Sequence, residues 1–429
     1  MSRPGGGVDA LVSPHTGIVT SIEEFCRHAD EPPLVGFNCG LADTRAALGL
    51  AIEANAGSLG YERVAARAAA LGEAAERYSA SWVPAARIVR ATASELGSAA
   101  IALDRLRMYA RWQHDGVQFR ARAPGPDDVL GWVAGRDLAS GAELHVPAAL
   151  VYLGYRPGPG EPWLGPTTSS GLACGTSAEM ATRSGLLEAI ERDAFMLTWR
   201  RRARPPGLLL GTSALRDVHD RYFARVRATY DALDLSAFSG VPTVLCVVRD
   251  RPGGVALAVG AASGASMDDA WLGALSEGFQ TYSWARQLRA AHAGEELRSL
   301  DDLESFADHV AWYADPAHEL DHARLRPRRS VHLDDGAAPL PKGDDASQTA
   351  ELVRRLASRG QQVLAFDVTS PDLADIGLHV VRVLGPDLCW LDQGARYAYL
   401  GRPRLTRHDA VPASLDPADA VDPDPHPFP

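Results

Sequence analysis

The stretch LLEAIERDAF, Leu186 to Phe195, has a near-copy earlier in the chain, LGEAAERYSA, Leu71 to Ala80. Both follow Leu-x-Glu-Ala-x-Glu-Arg. Glutamates at i and i+3 fall on one face of a helix, so Glu73 with Glu76 and Glu188 with Glu191 form two carboxylate pairs. The flanking Leu71, Leu186, Leu187 and Ile190 turn the other side of each helix toward a core. A third segment, Leu275-Ser276-Glu277-Gly278-Phe279-Gln280, repeats the spacing with glutamine in the second place. Four carboxylates turned to one cleft repel, and each raises the pKa of its neighbours unless a cation intervenes. Mg²⁺ meets that need because it takes carboxylate and phosphate oxygens together. One ExxER in an Ala/Leu-rich helix is ordinarily a solvated face with an i,i+4 ion pair. Recurrence in three segments is what turns the reading toward a shared metal and phosphate site.

The rest of the chain bounds the answer. Its 429 residues, 46% hydrophobic and 23% charged, suffice for one large globular domain or a few small ones. A net charge of −11 argues against nucleic acid as the main partner. The basic run RRRARP, Arg200 to Pro205, reads as a solvated helix end. No run of about 18 apolar residues is present to span a membrane, and MSRPGGGVDA lacks the basic-then-apolar pattern of a signal peptide. The expected location is cytoplasmic. Cys26, Cys39, Cys174, Cys246 and Cys389 are scattered without a CxxC pair, which points to neither a zinc module nor a disulfide framework.

Alternating blocks of helix and strand predict a mixed α/β fold. YERVAARAAALGEAAERYS (61–79) is Ala-rich and helical. ELHVPAALVYLGY (143–155) has strand character, between breaker-rich loops at 121–131 and 156–163. TTSSGLACGT (167–176) reads as a small, hydroxyl-rich turn whose N–H groups can face phosphate, ahead of a long helix from Ser177. It is not a GxxxxGK[ST] loop, and the chain has none. VPTVLCVVRD (241–250) and GGVALAVGAAS (253–263) predict adjacent strands, and residues 268–291 a helix with aspartates as N-terminal caps. Residues 293–345 read as acidic and irregular. A helix at 347–360 and strands at 361–368 and 379–385 follow, and the Asp/Pro-rich stretch from Pro412 predicts no regular structure.

The motifs ALGEAAERYSA, SSGLACGT with GLLEAIERDAF, ALSEGFQ and AFDVTSPDLADIGLHVVRVLGP, in this order over about residues 57–405, resemble the YcaO superfamily. The resemblance implies a YcaO-type fold in which glutamate-bearing helices bind ATP and Mg²⁺ without a P-loop. It divides the chain into an N-terminal segment (1–56), an ATP-binding catalytic domain (57–405) and an extended tail (406–429). The final PHPFP, Pro425 to Pro429, is similar to the PxPxP end of azoline-forming cyclodehydratases. That subgroup converts Cys, Ser or Thr of a ribosomal precursor peptide to thiazoline or oxazoline by phosphorylating the backbone amide oxygen. The residues implied are Glu73, Glu76, Glu188 and Glu191 for Mg²⁺. Arg77, Ser170, Arg192, Glu277 and Gln280 join these four around the nucleotide. Pro425, Pro427 and Pro429 form the tail that reaches the reacting centre, with the Pro429 carboxylate a candidate to orient or deprotonate the amide. Alternating prolines stiffen such a tail and lower the entropy lost when it docks. The implied partners are the precursor peptide, a ThiF-like or ubiquitin-activating-like protein that binds its leader, and a second copy in a homodimer.

Several positions depart from the family pattern. Leu59 stands where a lysine often sits in the glycine-rich turn before the first cassette. Ala69 replaces a serine, Ser170 an asparagine, and Met180 a glutamate, with Glu179 beside it. Tyr282 stands at an arginine position. Each lost charged contact is worth about 1.5–3 kcal/mol. The alternatives therefore are a non-catalytic scaffold or binding subunit with a degenerate ATP site, and YcaO-type thioamide or amidine formation.

Overall fold

The fold follows from where small and apolar residues let a helix lie on a strand. A computed structural model describes residues 7–25, 27–45, 49, 52, 55–116, 118–211, 213–250, 252–291, 299–318 and 325–429. The first sheet joins β1 (Val19–Glu24), β2 (Val35–Leu41) and β3 (Asn55–Gly60) in that order, antiparallel throughout. The sequence AGSLG is thus a strand, not a turn. Its backbone groups are taken up by β2, with Phe37 opposite Ser58 and Gly36 opposite Leu59. Helix α1 (Arg63–Ser81) follows at once, burying Ala66, Ala70, Leu71, Ala74 and Ala75. Its alanines permit the close approach to β2 and β3.

The remaining strands are, in chain order, β4 (Val89–Ala91), β5 (Leu130–Asp137), β6 (Glu143–Pro147), β7 (Leu172–Gly175), β8 (Gly207–Leu209), β9 (Thr229–Asp234), β10 (Thr243–Arg249), β11 (Ala258–Ser263), β12 (Ser330–His332), β13 (Leu364–Asp367) and β14 (His379–Leu384). One sheet runs β4-β5-β13-β14-β7, with β6 paired to β5. Another runs β11-β10-β9-β8-β12. Between these two sheets lies α2 (Ala178–Arg200), packed on β7 and β14 on one side and on β11 on the other. From Gly185 to Arg200 nearly every residue of α2 is buried. A helix buried all round belongs in a core, and this one carries the charged Glu191, Asp193 and Arg200 in with it. Helix α3 (Met267–Ala291) covers β10 and β11.

Several expectations shift here. Four of the ten residues of TTSSGLACGT form β7, because Leu172 to Gly175 pair antiparallel with Arg382 to His379 of β14. The strand expected over 143–155 ends at Pro147, where a 3₁₀ turn at Ala148–Leu150 begins. The α3 cap is Ser266, whose hydroxyl accepts from Asp269 N at 3.1 Å, while Asp268 and Asp269 occupy the first turn. The acidic stretch contains helix α4 (Phe306–Ala314), opened by a Ser305–Asp308 capping box. Helix α5 (Asp345–Ala357) is capped by Asp344, which accepts from Ser347 N at 2.9 Å. From Pro412 only a 3₁₀ turn at Ala413–Leu415 interrupts extended chain, yet Pro425 to Phe428 are buried. Among the described residues, no helix is long and apolar enough to cross a membrane.

Candidate active site

The predicted glutamates share one device: an oxygen of the carboxylate accepts a backbone N–H from a neighbouring strand or turn. Glu73 on α1 accepts from Gly57 N of β3 at 2.8 Å, and Glu76 from Cys174 N of β7 at 2.8 Å. Glu188 on α2 accepts from Gly171 N at 3.0 Å, and Glu277 on α3 from Ala261 N of β11 at 2.6 Å. Within the 167–176 segment the amides of Gly171 and Cys174 are therefore committed to glutamates. Two glycine contacts make these bonds reachable. Gly171 has φ +81°, and a Cβ there would sit 2.1 Å from Val383 O; only glycine adopts that conformation at no cost. A Cβ on Gly260 of β11 would lie 2.1 Å from Gly278 N, so the bare glycine lets α3 come down beside Ala261.

Arg192 gathers the second half of the site. Its guanidinium lies 3.2 Å from Glu191, 3.4 Å from Glu188 and 3.5 Å from Glu277. Arg77 instead turns to Glu73, at 2.6 Å, and to the Asn55 carbonyl of β3. Gln280 ties α3 to β3, accepting from Leu59 N at 3.1 Å and donating to Gly57 O at 3.2 Å. Ser170 lies 3.1 Å from the Thr168 hydroxyl in the turn before β7.

Charge is not balanced. Glu73, Glu76, Glu188, Glu191 and Glu277 face Arg77, Arg192 and Arg382. Burial pushes the carboxyls of Glu76 and Glu191 well above their ordinary range, and Glu188 adds to both. Glu188 and Glu277 rise for the same first reason, desolvation, opposed by Arg192. Such a set is short of positive charge and suits a cation. Among the described residues no three His, Cys, Asp or Glu side chains converge tightly enough to hold an ion alone. A Mg²⁺ here would complete its shell with phosphate oxygens and water, as Mg²⁺ ordinarily does. The donor set therefore fits a metal–nucleotide better than a bare metal.

The first two arginines of the basic run, at the end of α2, are buried, which corrects their reading as a solvated end, while Arg202 is exposed and Arg204 half-buried. Arg200 is 0% and Arg201 3% exposed. Arg200 donates to both oxygens of Asp392 at 3.0 Å and to the carbonyls of Asp422 at 3.1 Å and Asp424 at 2.7 Å. Arg201 donates to Ala418 O at 3.0 Å, and Trp199 to Asp424 O at 2.9 Å. The run thus clamps the tail. Beyond the clamp, Tyr313 OH donates to Pro425 O, and His426 meets Asp392 O at 2.9 Å. Phe428, fully buried, packs on Phe195 with ring centroids 4.6 Å apart, and the Arg192 guanidinium lies 4.2 Å over its ring. Pro425 and Pro427 are buried and Pro429 half-buried. Tail and glutamate cluster meet at Arg192.

The departing positions are settled in ordinary surroundings. Leu59 packs against the apolar cluster around Phe223 and Phe279. Ala69, Glu179 and Met180 are exposed, so neither Met180 nor Glu179 sits buried with the other carboxylates. Tyr282 is fully buried, its hydroxyl 3.1 Å from Asp250.

The sequence matches the family described as YcaO cyclodehydratase, ATP- and Mg²⁺-binding, over residues 58–389. The chain belongs to the YcaO family. It is 31% identical over 199 residues to an uncharacterized protein of Methanothermobacter thermautotrophicus, covering 44% of this chain and 47% of that relative. The chain thus matches about half the length of that curated relative. A heterocyclase solved in complex with substrate and cofactor resembles this YcaO protein with a TM-score of 0.75 at 23% identity, over 99% of this chain and 58% of that one. YcaO from Methanopyrus kandleri, solved with AMPPCP and Mg²⁺, gives a TM-score of 0.61 at 22% identity, over 89% and 87% of the two chains. At these identities the structural likeness speaks for the fold; binding of ATP and Mg²⁺ rests on the family.

Two features escaped the sequence reading. The Arg200–Asp392 clamp joins residues too far apart for any spacing rule. Arg382, buried on β14, had a visible signal: a lone arginine inside the apolar run HVVRVLG, where charge is rarely buried without purpose.

Proposed function

We propose that this protein is an ATP-dependent cyclodehydratase that converts Cys, Ser or Thr of a ribosomal precursor peptide to thiazoline or oxazoline. The observation that carries this reading is Phe428, inside PHPFP, seated under the same Arg192 that gathers Glu188, Glu191 and Glu277. ATP bound with Mg²⁺ supplies the phosphoryl group that makes the substrate's amide oxygen a leaving group. In the net change the peptide side chain closes on the preceding carbonyl carbon, that oxygen departs as phosphate, and ATP becomes ADP. The protein's part is positioning and charge neutralisation. Glu73, Glu76, Glu188 and Glu191 would hold Mg²⁺ with the phosphates. Arg77 and Arg192 offset the glutamates' charge, and Ser170, Glu277 and Gln280 complete the polar wall. Pro425, Pro427 and Pro429 keep the tail extended against the site. A leader-binding partner brings the precursor.

The test combines the protein, its partner and precursor peptide with ATP and Mg²⁺, and reads peptide mass. One water mass lost per ring, absent without Mg²⁺ and absent with Glu191→Ala, is the expected result. A second reading, a non-catalytic subunit, is favoured by Leu59, which fills an apolar cluster where a phosphate-binding lysine is expected. An unchanged peptide mass with no ATP hydrolysis in the presence of the partner would select it.

A further inference from the structure

Arg382 is the least explained charge in the molecule. It stands on β14 between Val381 and Val383 and is 4% exposed. One terminal nitrogen donates to Thr168 O at 2.7 Å. Its Nε has no hydrogen-bond partner, and among the described residues no carboxylate lies within ion-pairing distance of it. Glu188 is the carboxylate that acts on it most strongly, yet the oxygens of Glu188 are held by Gly171 N at 3.0 Å and Arg192 at 3.4 Å. Burial lowers the Arg382 pKa to about 10, so the guanidinium stays charged near neutrality. A buried guanidinium without a salt-bridged carboxylate is costly, and the Thr168 carbonyl and the fields of Glu188 and Tyr399 offset that cost only in part.

Arg382 does not face a blank wall. It lines a narrow pocket with Ser170, Ala189, Arg192, Gly385 and Trp390, with room for a single oxygen-sized group. Two arginines and a hydroxyl around such a space offer donors and no acidic side chain. We propose that Arg382, with Arg192 and Ser170, forms a subsite for one oxygen of a phosphate-type dianion. The choice of phosphate rests on the ATP chemistry proposed above; the anion subsite itself rests on Arg382. The dianion has two possible sources with the same chemistry: the terminal phosphoryl group of the nucleotide, or phosphate released after transfer. Guanidinium groups suit either, since they pair with phosphate oxygens through several N–H donors at once.

The experiment needs no peptide. The full chain is titrated with inorganic phosphate, reading binding by calorimetry and the melting temperature, for wild type, Arg382→Met and Arg382→Lys. Phosphate is expected to bind and stabilise the wild type and to bind Arg382→Met about tenfold more weakly or worse, the scale of one charge-assisted contact. Arg382→Lys falls between them. Without phosphate, Arg382→Met melts no lower than wild type, because it removes a buried charge that no carboxylate salt-bridges. Displacement of phosphate by AMPPCP but not by ADP assigns the subsite to the terminal phosphoryl group. Phosphate that binds beside either nucleotide assigns it to the released product. Equal phosphate binding in folded Arg382→Met and Arg382→Lys overturns the proposal, as does a wild type that binds none. A Met variant that melts lower with its phosphate response intact does so too, leaving Arg382 a tie to Thr168. A protein that binds phosphate through Arg382 yet forms no ring fails the reaction proposed above and leaves the subsite standing.

Discussion

Replacing Phe428 by alanine tests whether the tail is held by its last residues or by the arginine clamp behind them. The side chain is fully buried, packed on Phe195 with centroids 4.6 Å apart and covered by Arg192 at 4.2 Å. Truncating a buried phenylalanine costs about 3–5 kcal/mol, part of it the cation–π contact. The clamp is untouched: Asp422 N still donates to Arg200 O at 2.7 Å, and Ala418 N to Arg201 O at 2.7 Å. The loss should therefore be local. Hydrogen exchange read by residue is the assay. The amide at 428, which donates to His426 Nδ1 at 3.2 Å in the native protein, should lose protection by roughly a hundredfold or more, the equivalent of about 3 kcal/mol. Protection at Ala418 and Asp422 should stay within a few-fold. Uniform loss across 418–428 would show that the tail docks as one unit, and unchanged protection at 428 would show that Phe428 anchors nothing; either refutes the reasoning.

The clamp is the heavier element: Arg200→Met leaves the Asp392 carboxylate buried without its partner, and should cost about 3–5 kcal/mol in urea unfolding. The histidine pair made by His309 of α4 and His426 of the tail gives the protein an acid limit. Burial holds His309 and His426 at about 3, with their rings 4.8 Å apart beside Arg200. The unfolded chain, titrating near 6.5, then binds more protons, so stability is intact above 6.5 and declines as pH falls toward 3. Neither ring nitrogen of His309 has a hydrogen-bond partner, so His309→Leu should flatten that decline without loss at neutral pH in pH-resolved melting curves. Gly260→Ala puts a methyl 2.1 Å from Gly278 N; overpacking of about 1–3 kcal/mol should appear in urea melts, with loss of Mg²⁺-dependent nucleotide binding as Glu277 is lifted from Ala261.

What the sequence determined by itself was local. The i,i+3 spacing put Glu73 with Glu76 and Glu188 with Glu191 on single helix faces, because 3.6 residues per turn leaves no other choice. The order of motifs was enough for the family and for the mixed α/β fold. Only the tertiary structure decided which of these faces meet. It set Arg192, rather than the Arg77 of the matching cassette, among three glutamates from two helices, and it turned Arg77 back to β3. It buried Arg200 and Arg201 because a tail more than two hundred residues later offers them carbonyls and Asp392 offers a carboxylate. A run of arginines read alone is a solvated surface, since the free-energy cost of burying a charge is offset only by partners that chain folding brings from far away. The same holds for Arg382, whose place in an apolar strand was visible in the letters and whose lack of a salt-bridged carboxylate was not.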